Sequence, residues 1–252
     1  MEPQEYRTLF EFESCYWWYR RLHEVLLDLL RQQGVDRSSR VLDAGCGTGL
    51  NMANISSALS QSTFGLDISP HAVPYWQCRG LKQVCLGSVN NLPFPDDAFD
   101  AVVCVDVLES DAVIEERAYS ELWRVVCEGG LIVIVVPAYE WLLTKEHHRA
   151  VHATRRYTKK SLLSLLETRP IRLVRVSYMF ALLFPAVATY RLALRLFSNG
   201  VTDSPRSELW RLPWFVNEAL YRVMAWERSL LRVKNLPFGS SLLAVVRKTV
   251  RG

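Results

Sequence analysis

Residues 41–50 read VLDAGCGTGL, an apolar run that passes through an aspartate and breaks into three glycines spaced two apart. A strand that runs straight into glycines before a helix sets bare backbone at the carboxyl end of a sheet, where open α/β sheets bind their ligands. The surrounding sequence obeys the same constraint. Short apolar runs with few charges at 40–44, 63–67, 83–87, 99–105 and 131–136 predict strands covered on both faces. Helical patterns at 52–60, 70–79 and 113–127 lie between them, and this alternation predicts a parallel sheet built by right-handed crossovers. A helix over 159–167 and two further strands at 171–178 and 241–248 complete the pattern. The expected fold class is α/β: a seven-stranded, mostly parallel sheet with helices on both faces.

Some sixty residues separate the last two strands, too many for a plain connection, so a helical insertion is expected before the last strand. Its apolar run, YMFALLFPAVATY at 178–190, stops at Arg191 and is too short for the ~20 residues of a bilayer crossing. A single domain is expected in three parts: an aromatic N-terminal lid (1–39), a core (40–178 and 237–252) and the insertion or cap (179–236). Charge divides sharply along the chain. Up to Thr144 there are 10 Lys/Arg against 20 Asp/Glu, and beyond it 20 against 6, which points to an anionic partner for the second part or to solvated helix faces. The acidic N-terminus lacks the pattern of a secretory signal, so a cytoplasmic location is expected, with peripheral membrane contact through the insertion as an option. The six cysteines form no CxxC pair and read as reduced packing residues, without a metal or redox role.

The glycine loop departs from the dinucleotide fingerprint G-x-G-x-x-G, because Leu50 stands where the third glycine belongs. It resembles instead the first motif of class I S-adenosylmethionine-dependent methyltransferases, VLDAGCGTG at 41–49. GLDIS at 65–69, LPFPDDAFDAVVCVDVLE at 92–109 and ELWRVVCEGGLIVIVVP at 121–137 follow in that family's order. The resemblance implies a Rossmann-like class I methyltransferase fold that binds S-adenosyl-L-methionine and releases S-adenosyl-L-homocysteine. It implies a cofactor site of Asp43, Ala44, Gly45, Cys46, Gly47, Gly49, Asp67, Ile68, Ser88, Val89 and Asp106. Asp43 would face the methionine amino group and Asp67 the ribose, whose two hydroxyls a carboxylate can accept in a fork. Ser88 or the Val89 backbone would take the adenine amino group, since GSVNNLPF at 87–94 offers no acid there.

Nearly the whole chain also resembles a narrower group of bacterial methyltransferases found beside glycosyltransferases and lipid-handling proteins, in YWWYRRLHEVL at 16–26, VPAYEWLLTKEHH at 136–148, RRYTKKSLLSLL at 155–166 and PFGSSLLAVVRK at 237–248. It departs from that group at LES (108–110), where LEH is usual, and at His148 and Ala153. Methyl transfer from a sulfonium needs alignment and exclusion of water, and a base only when the acceptor must lose a proton. Candidate bases are His147, His148, His152 and Glu109; candidate acceptor contacts are Tyr16, Trp17, Trp18, Tyr139, Arg155, Arg156 and Tyr157, against the alternatives of core packing for the aromatics and internal ion pairing for the arginines. His148 and His152 lack a third ligand at helical spacing, so no metal is expected. The insertion, rich in Leu, Phe, Trp and Arg, reads as a cap over an apolar acceptor, a dimer interface or a membrane-docking face. The expected function is methyl transfer to a small, substantially apolar acceptor, acidic or lipid-linked, with no nucleic acid involved, in a monomer or homodimer. A nicotinamide-dependent oxidoreductase and a non-catalytic cofactor-binding module are the alternatives.

Overall fold

The apolar runs become one sheet in the computed structural model, which describes residues 1–143, 152–197 and 212–249. Its strands are β1 (Arg40–Ala44), β2 (Ser62–Asp67), β3 (Val84–Leu86), β4 (Phe99–Val105), β5 (Val126–Pro137), β6 (Ile171–Met179) and β7 (Ser241–Lys248), in the order β3-β2-β1-β4-β5-β7-β6. The pairs among β1 to β5 are parallel, while β7 runs antiparallel between β5 and β6. The carboxyl ends of β1 to β6 therefore share one edge. The sheet is the α/β sheet expected from the sequence.

Around it lie α1 (Pro3–Phe12), α2 (Trp17–Gln32), α3 (Leu50–Ala58), α4 (Val73–Cys78), α5 (Glu115–Val125), α6 (Lys159–Leu166), α7 (Phe184–Phe197) and α8 (Trp214–Leu231). Alternate strand residues serve opposite cores. Leu42, Val102, Cys104, Ile132 and Ile134 pack toward α5 and α6, whereas Val41, Ala101, Val103, Leu131 and Val133 pack toward α2, α3 and α8. Leu26 and Leu30 of α2 are buried, each stabilising the fold by about 2 kcal/mol. Among the described residues, no helix is long and apolar enough to cross a membrane.

Two boundaries differ from the sequence reading for physical reasons. β5 starts at Val126, which pairs with Phe99 before residues 127–130 bulge and Leu131 resumes pairing with Ala101. The bulge turns at Gly129 (φ 73°), and a β-carbon on Gly130 would lie 2.8 Å from the Cys127 carbonyl oxygen. The helix expected over 70–79 is a 3-10 turn, Pro70–Ala72, followed by α4, with Pro74 at the α-helical start, where its missing N–H is tolerated.

Candidate active site

Six strands end at the shared edge, and after four of them the chain passes through a left-handed residue. Gly45 (φ 84°) follows β1, Asp106 (φ 51°) follows β4, Phe180 (φ 62°) follows β6, and Tyr139 (φ 57°) stands two residues beyond β5. A bulky residue held at positive φ costs free energy that the surrounding structure must offset, and such residues gather at functional sites.

The glycine loop joins β1 to α3. The Gly45 and Cys46 amides donate to the Leu66 carbonyl at 2.7 and 2.9 Å, tying the loop to β2. A β-carbon on Gly45 would come within 2.3 Å of the Val107 side chain, and its φ alone disfavours any other residue. Trp76 Nε1 donates to the Gly47 carbonyl (2.8 Å), and Gly49 (φ 86°) opens α3. Asp67 ends β2: its Oδ2 accepts the Gly47 amide (2.9 Å), and its Oδ1 accepts the Ser69 amide (2.9 Å) and the Tyr6 hydroxyl (3.0 Å). Tyr6 comes from α1, which lies over the loop with Leu9 3.6 Å from where a Gly47 β-carbon would stand. Behind it, Glu13 accepts from the Thr48 hydroxyl and pairs with Arg79 at 2.6 Å. Burial pushes the Glu13 carboxyl and the Tyr6 hydroxyl above their usual ranges.

Asp43 closes this side. It is 1% exposed, and among the described residues its Oδ2 has no hydrogen-bond partner. Burial first, and then the nearby Asp67 charge, push its pKa up to about 7 against the Met52 amide. Past the β2 and β3 ends, Ile68 is exposed, Ser88 Oγ accepts the Asn90 amide (3.2 Å), and Val89 is buried.

A second acidic group sits below β4. Glu109 is 7% exposed, with Oε2 unpartnered among the described residues. Burial raises its carboxyl well above the usual range and the Asp106 charge raises it further, while Arg156 and Arg155 pull it down. Asp106, the left-handed residue after β4, is exposed at its surface yet raised by desolvation from the groups around it, with Arg156 pulling it down; burial, and then the Asp106 charge, raises the hydroxyl of Tyr19 of α2.

The remaining sequence candidates divide. His147 and His148 lie outside the described residues. His152 is at the rim, between Asp111 (3.2 Å) and Glu2 (2.9 Å). Arg155 donates to the Leu108 and Val113 carbonyls at 3.1 and 2.9 Å, and buried Tyr157 donates its hydroxyl toward Leu108 and Glu115, so both hold the loop carrying Glu109 instead of presenting an open face. Arg156 reaches the Ala138 carbonyl (3.4 Å). Trp17 is buried and Trp18 stacks on Phe180 at 5.2 Å, while Tyr16 packs edge-on against Phe12. Tyr139 stacks on Tyr178 at 5.3 Å and touches Phe184, giving the β5–β6 end an aromatic wall. Among the described residues, no three His, Cys, Asp or Glu are grouped to hold a metal ion.

Residues 42–134 match the family described as Methyltransferase domain. They form a class I S-adenosylmethionine-dependent methyltransferase domain. Around this domain the chain is 30% identical over 135 residues to 24-methylenesterol C-methyltransferase 3 of Arabidopsis thaliana, a match spanning 50% of this chain and 35% of that one. It is 31% identical over 126 residues to sterol 24-C-methyltransferase of Yarrowia lipolytica, spanning 47% and 32% respectively. The matched region thus spans about a third of each relative's length. The fold is shared with a SAM-dependent methyltransferase of Thermotoga maritima at TM-score 0.58 and 18% identity, covering 98% of this chain and 96% of that one.

The residues present in the methyltransferase domain fit its cofactor. An unpartnered buried carboxylate oxygen beside a glycine turn suits an ammonium group, and no neutral packing role explains it. Sequence reasoning missed Tyr6, Glu13, Trp76 and Arg79 around the glycine loop. A signal for two of them was present: Tyr6, Leu9, Phe10 and Glu13 recur at helical spacing, so one face of α1 turns toward the loop.

Proposed function

We propose that the chain transfers a methyl group from S-adenosylmethionine to a small, substantially apolar acceptor, in a cytoplasmic setting. The observation that carries this reading is the pair of Asp43 and Asp67 across the glycine turn, one buried with an unused oxygen and one presenting a carboxylate at the end of β2. Bound there, S-adenosylmethionine supplies an electrophilic methyl group on a sulfonium sulfur. Asp43 holds the amino group, Asp67 the ribose, and Ser88 or the Val89 amide the adenine edge. Asp106 and Glu109 follow the end of β4, and Glu109 takes the acceptor proton where one must leave. Tyr139, Tyr178, Phe184 and Trp18 supply apolar walls, and the curated relatives are named for sterol substrates. Residues 1–39 act as a lid and 179–236 as a cap, whose outer surface gives peripheral membrane contact. Incubation with labelled cofactor and a panel of sterols, apolar acids, peptides and polynucleotides tests the reading: transfer to the apolar members is expected, and transfer confined to peptides or polynucleotides would overturn it.

The lid has its own expected effect. A carboxylate has about four acceptor sites, and Asp67 already receives Gly47, Ser69 and Tyr6. Two ribose hydroxyls therefore need one donor to leave. The two backbone amides are fixed by the loops, so Tyr6 is the one that withdraws. Tyr6→Phe is expected to tighten S-adenosylhomocysteine binding by about fivefold, equivalent to about 1 kcal/mol; weaker binding in calorimetry would show instead that Tyr6 assists the ribose contact.

A further inference from the structure

Helix α8 is turned inside out. Two of its four charged residues turn to the protein: Arg228 pairs with Asp28 (2.7 Å) and Glu24 (2.8 Å) of α2, and buried Glu227 accepts the Phe180 and Leu182 amides, while Arg232, just past the helix, reaches Asp28 (3.1 Å). Its outer face is apolar. Phe215, Ala219, Val223, Trp226, Leu230 and Val233 follow one another at steps of three or four, which is one stripe of a helix and its closing turn. Trp226 is 77% exposed, Val233 76% and Phe215 59%, with Trp214 80% exposed beside the first turn. An ordinary surface helix has the reverse polarity, and contiguous exposed apolar patches of this kind mark interaction sites.

The charges around the stripe choose its partner. Arg222 is 78% exposed beside Val223 and Trp226, Arg232 is 51% exposed, and Lys234 is exposed next to Val233. Glu218, the carboxylate on this side, is bound by Arg20 and Arg222 at 3.2 and 3.1 Å. An exposed apolar stripe that carries Trp226, with Trp214 beside its start and the cations Arg222, Arg232 and Lys234 along it, matches an interface of acyl chains beneath anionic headgroups. The start of α8 also abuts the site, because Asn217 accepts the Trp17 amide (2.9 Å) and Trp18 stacks on Phe180 at the carboxyl end of β6.

We propose that the outer face of α8 docks this protein on an anionic lipid bilayer, with Trp226 and Phe215 entering the headgroup region. The proposal rests on the peripheral contact proposed above for the cap, naming its surface and lipid, and is measured without turnover. The full chain is incubated with vesicles of phosphatidylcholine alone or with about a third phosphatidylglycerol, followed by co-sedimentation and tryptophan emission. Binding to the anionic vesicles with a blue shift is expected, weakened by salt through screening. The double variant Phe215→Ser/Trp226→Ser is expected to bind at least tenfold more weakly, while Leu86→Ser, at an exposed apolar position on β3, leaves binding unchanged. Unchanged circular dichroism and S-adenosylhomocysteine binding in the double variant separate loss of docking from loss of fold or of the cofactor site. The proposal is overturned by absence of vesicle binding, by binding that the double variant retains, or by a concentration-dependent dimer that the double variant abolishes, which would assign the stripe to a second copy of this chain.

Discussion

Glu109→Gln is expected to lower kcat for methyl transfer to a proton-losing acceptor by about two to four orders of magnitude, the usual contribution of a positioned base. S-adenosylhomocysteine affinity should stay within about twofold, because the isosteric amide alters a group beyond β4 and not at the glycine loop. Several observations single out this carboxyl. It is buried, its Oε2 has no partner among the described residues, and the loop bearing it is held by Arg155, Tyr157 and the Thr154 amide, which donates to the Glu109 carbonyl at 2.8 Å. Burial and Asp106 raise its proton affinity, so the base form fills only as pH climbs past the ordinary carboxylate range. The sign for rate follows: kcat rises with pH in the wild type and is flat and low in the variant. A kcat within threefold of wild type would mean that transfer uses no base at this position. The equivalent test for His152 should show a small effect, since Asp111 and Glu2 already engage both ring nitrogens.

How much of this arrangement can be read from sequence depends on whether a residue acts through local pattern or through distant partners. The strands were legible because each is a short run buried on both faces, and the glycine loop because three glycines take left-handed angles between a strand and a helix. Asp43 and Asp67 were placed by their positions at strand ends. Tyr6 was not, because its partner lies 61 residues away and only the fold of α1 over β2 brings them together. The same limit explains Arg155 and Tyr157, whose types suit an anion clamp but whose partners, the Leu108 carbonyl and Glu115, are 42 to 49 residues distant. That α8 is a helix was legible. Its polarity was not, because the sequence shows Arg228 and Glu227 on α8 without showing that Asp28 and the Phe180 amide draw them inward.

Asp43→Asn is expected to weaken S-adenosylhomocysteine binding by about a hundredfold at pH 8, the loss of a charge-assisted contact of about 3 kcal/mol to an ammonium. The same change should stabilise the ligand-free protein at that pH, and the opposite signs have one cause. Asp43 is pushed from 3.8 to about 7 by burial and by Asp67. The folded chain therefore holds this proton more tightly than the unfolded chain does. Between about pH 4 and pH 7 the native state carries the extra proton, so the contribution of Asp43 to ligand-free stability falls as pH rises through that window. Ionised above it, the carboxylate is a buried charge awaiting a cation. Binding of the cofactor amino group requires that ionised form, so wild-type affinity should rise roughly tenfold per pH unit up to about 7 and then level, with proton release visible as a buffer-dependent heat below the plateau. In Asp43→Asn both the slope and the proton release should vanish, while the midpoint of urea unfolding at pH 8 moves upward. A variant that binds as tightly as wild type, or that keeps the pH slope, would place the ammonium contact elsewhere and leave the unpartnered oxygen of Asp43 without a ligand.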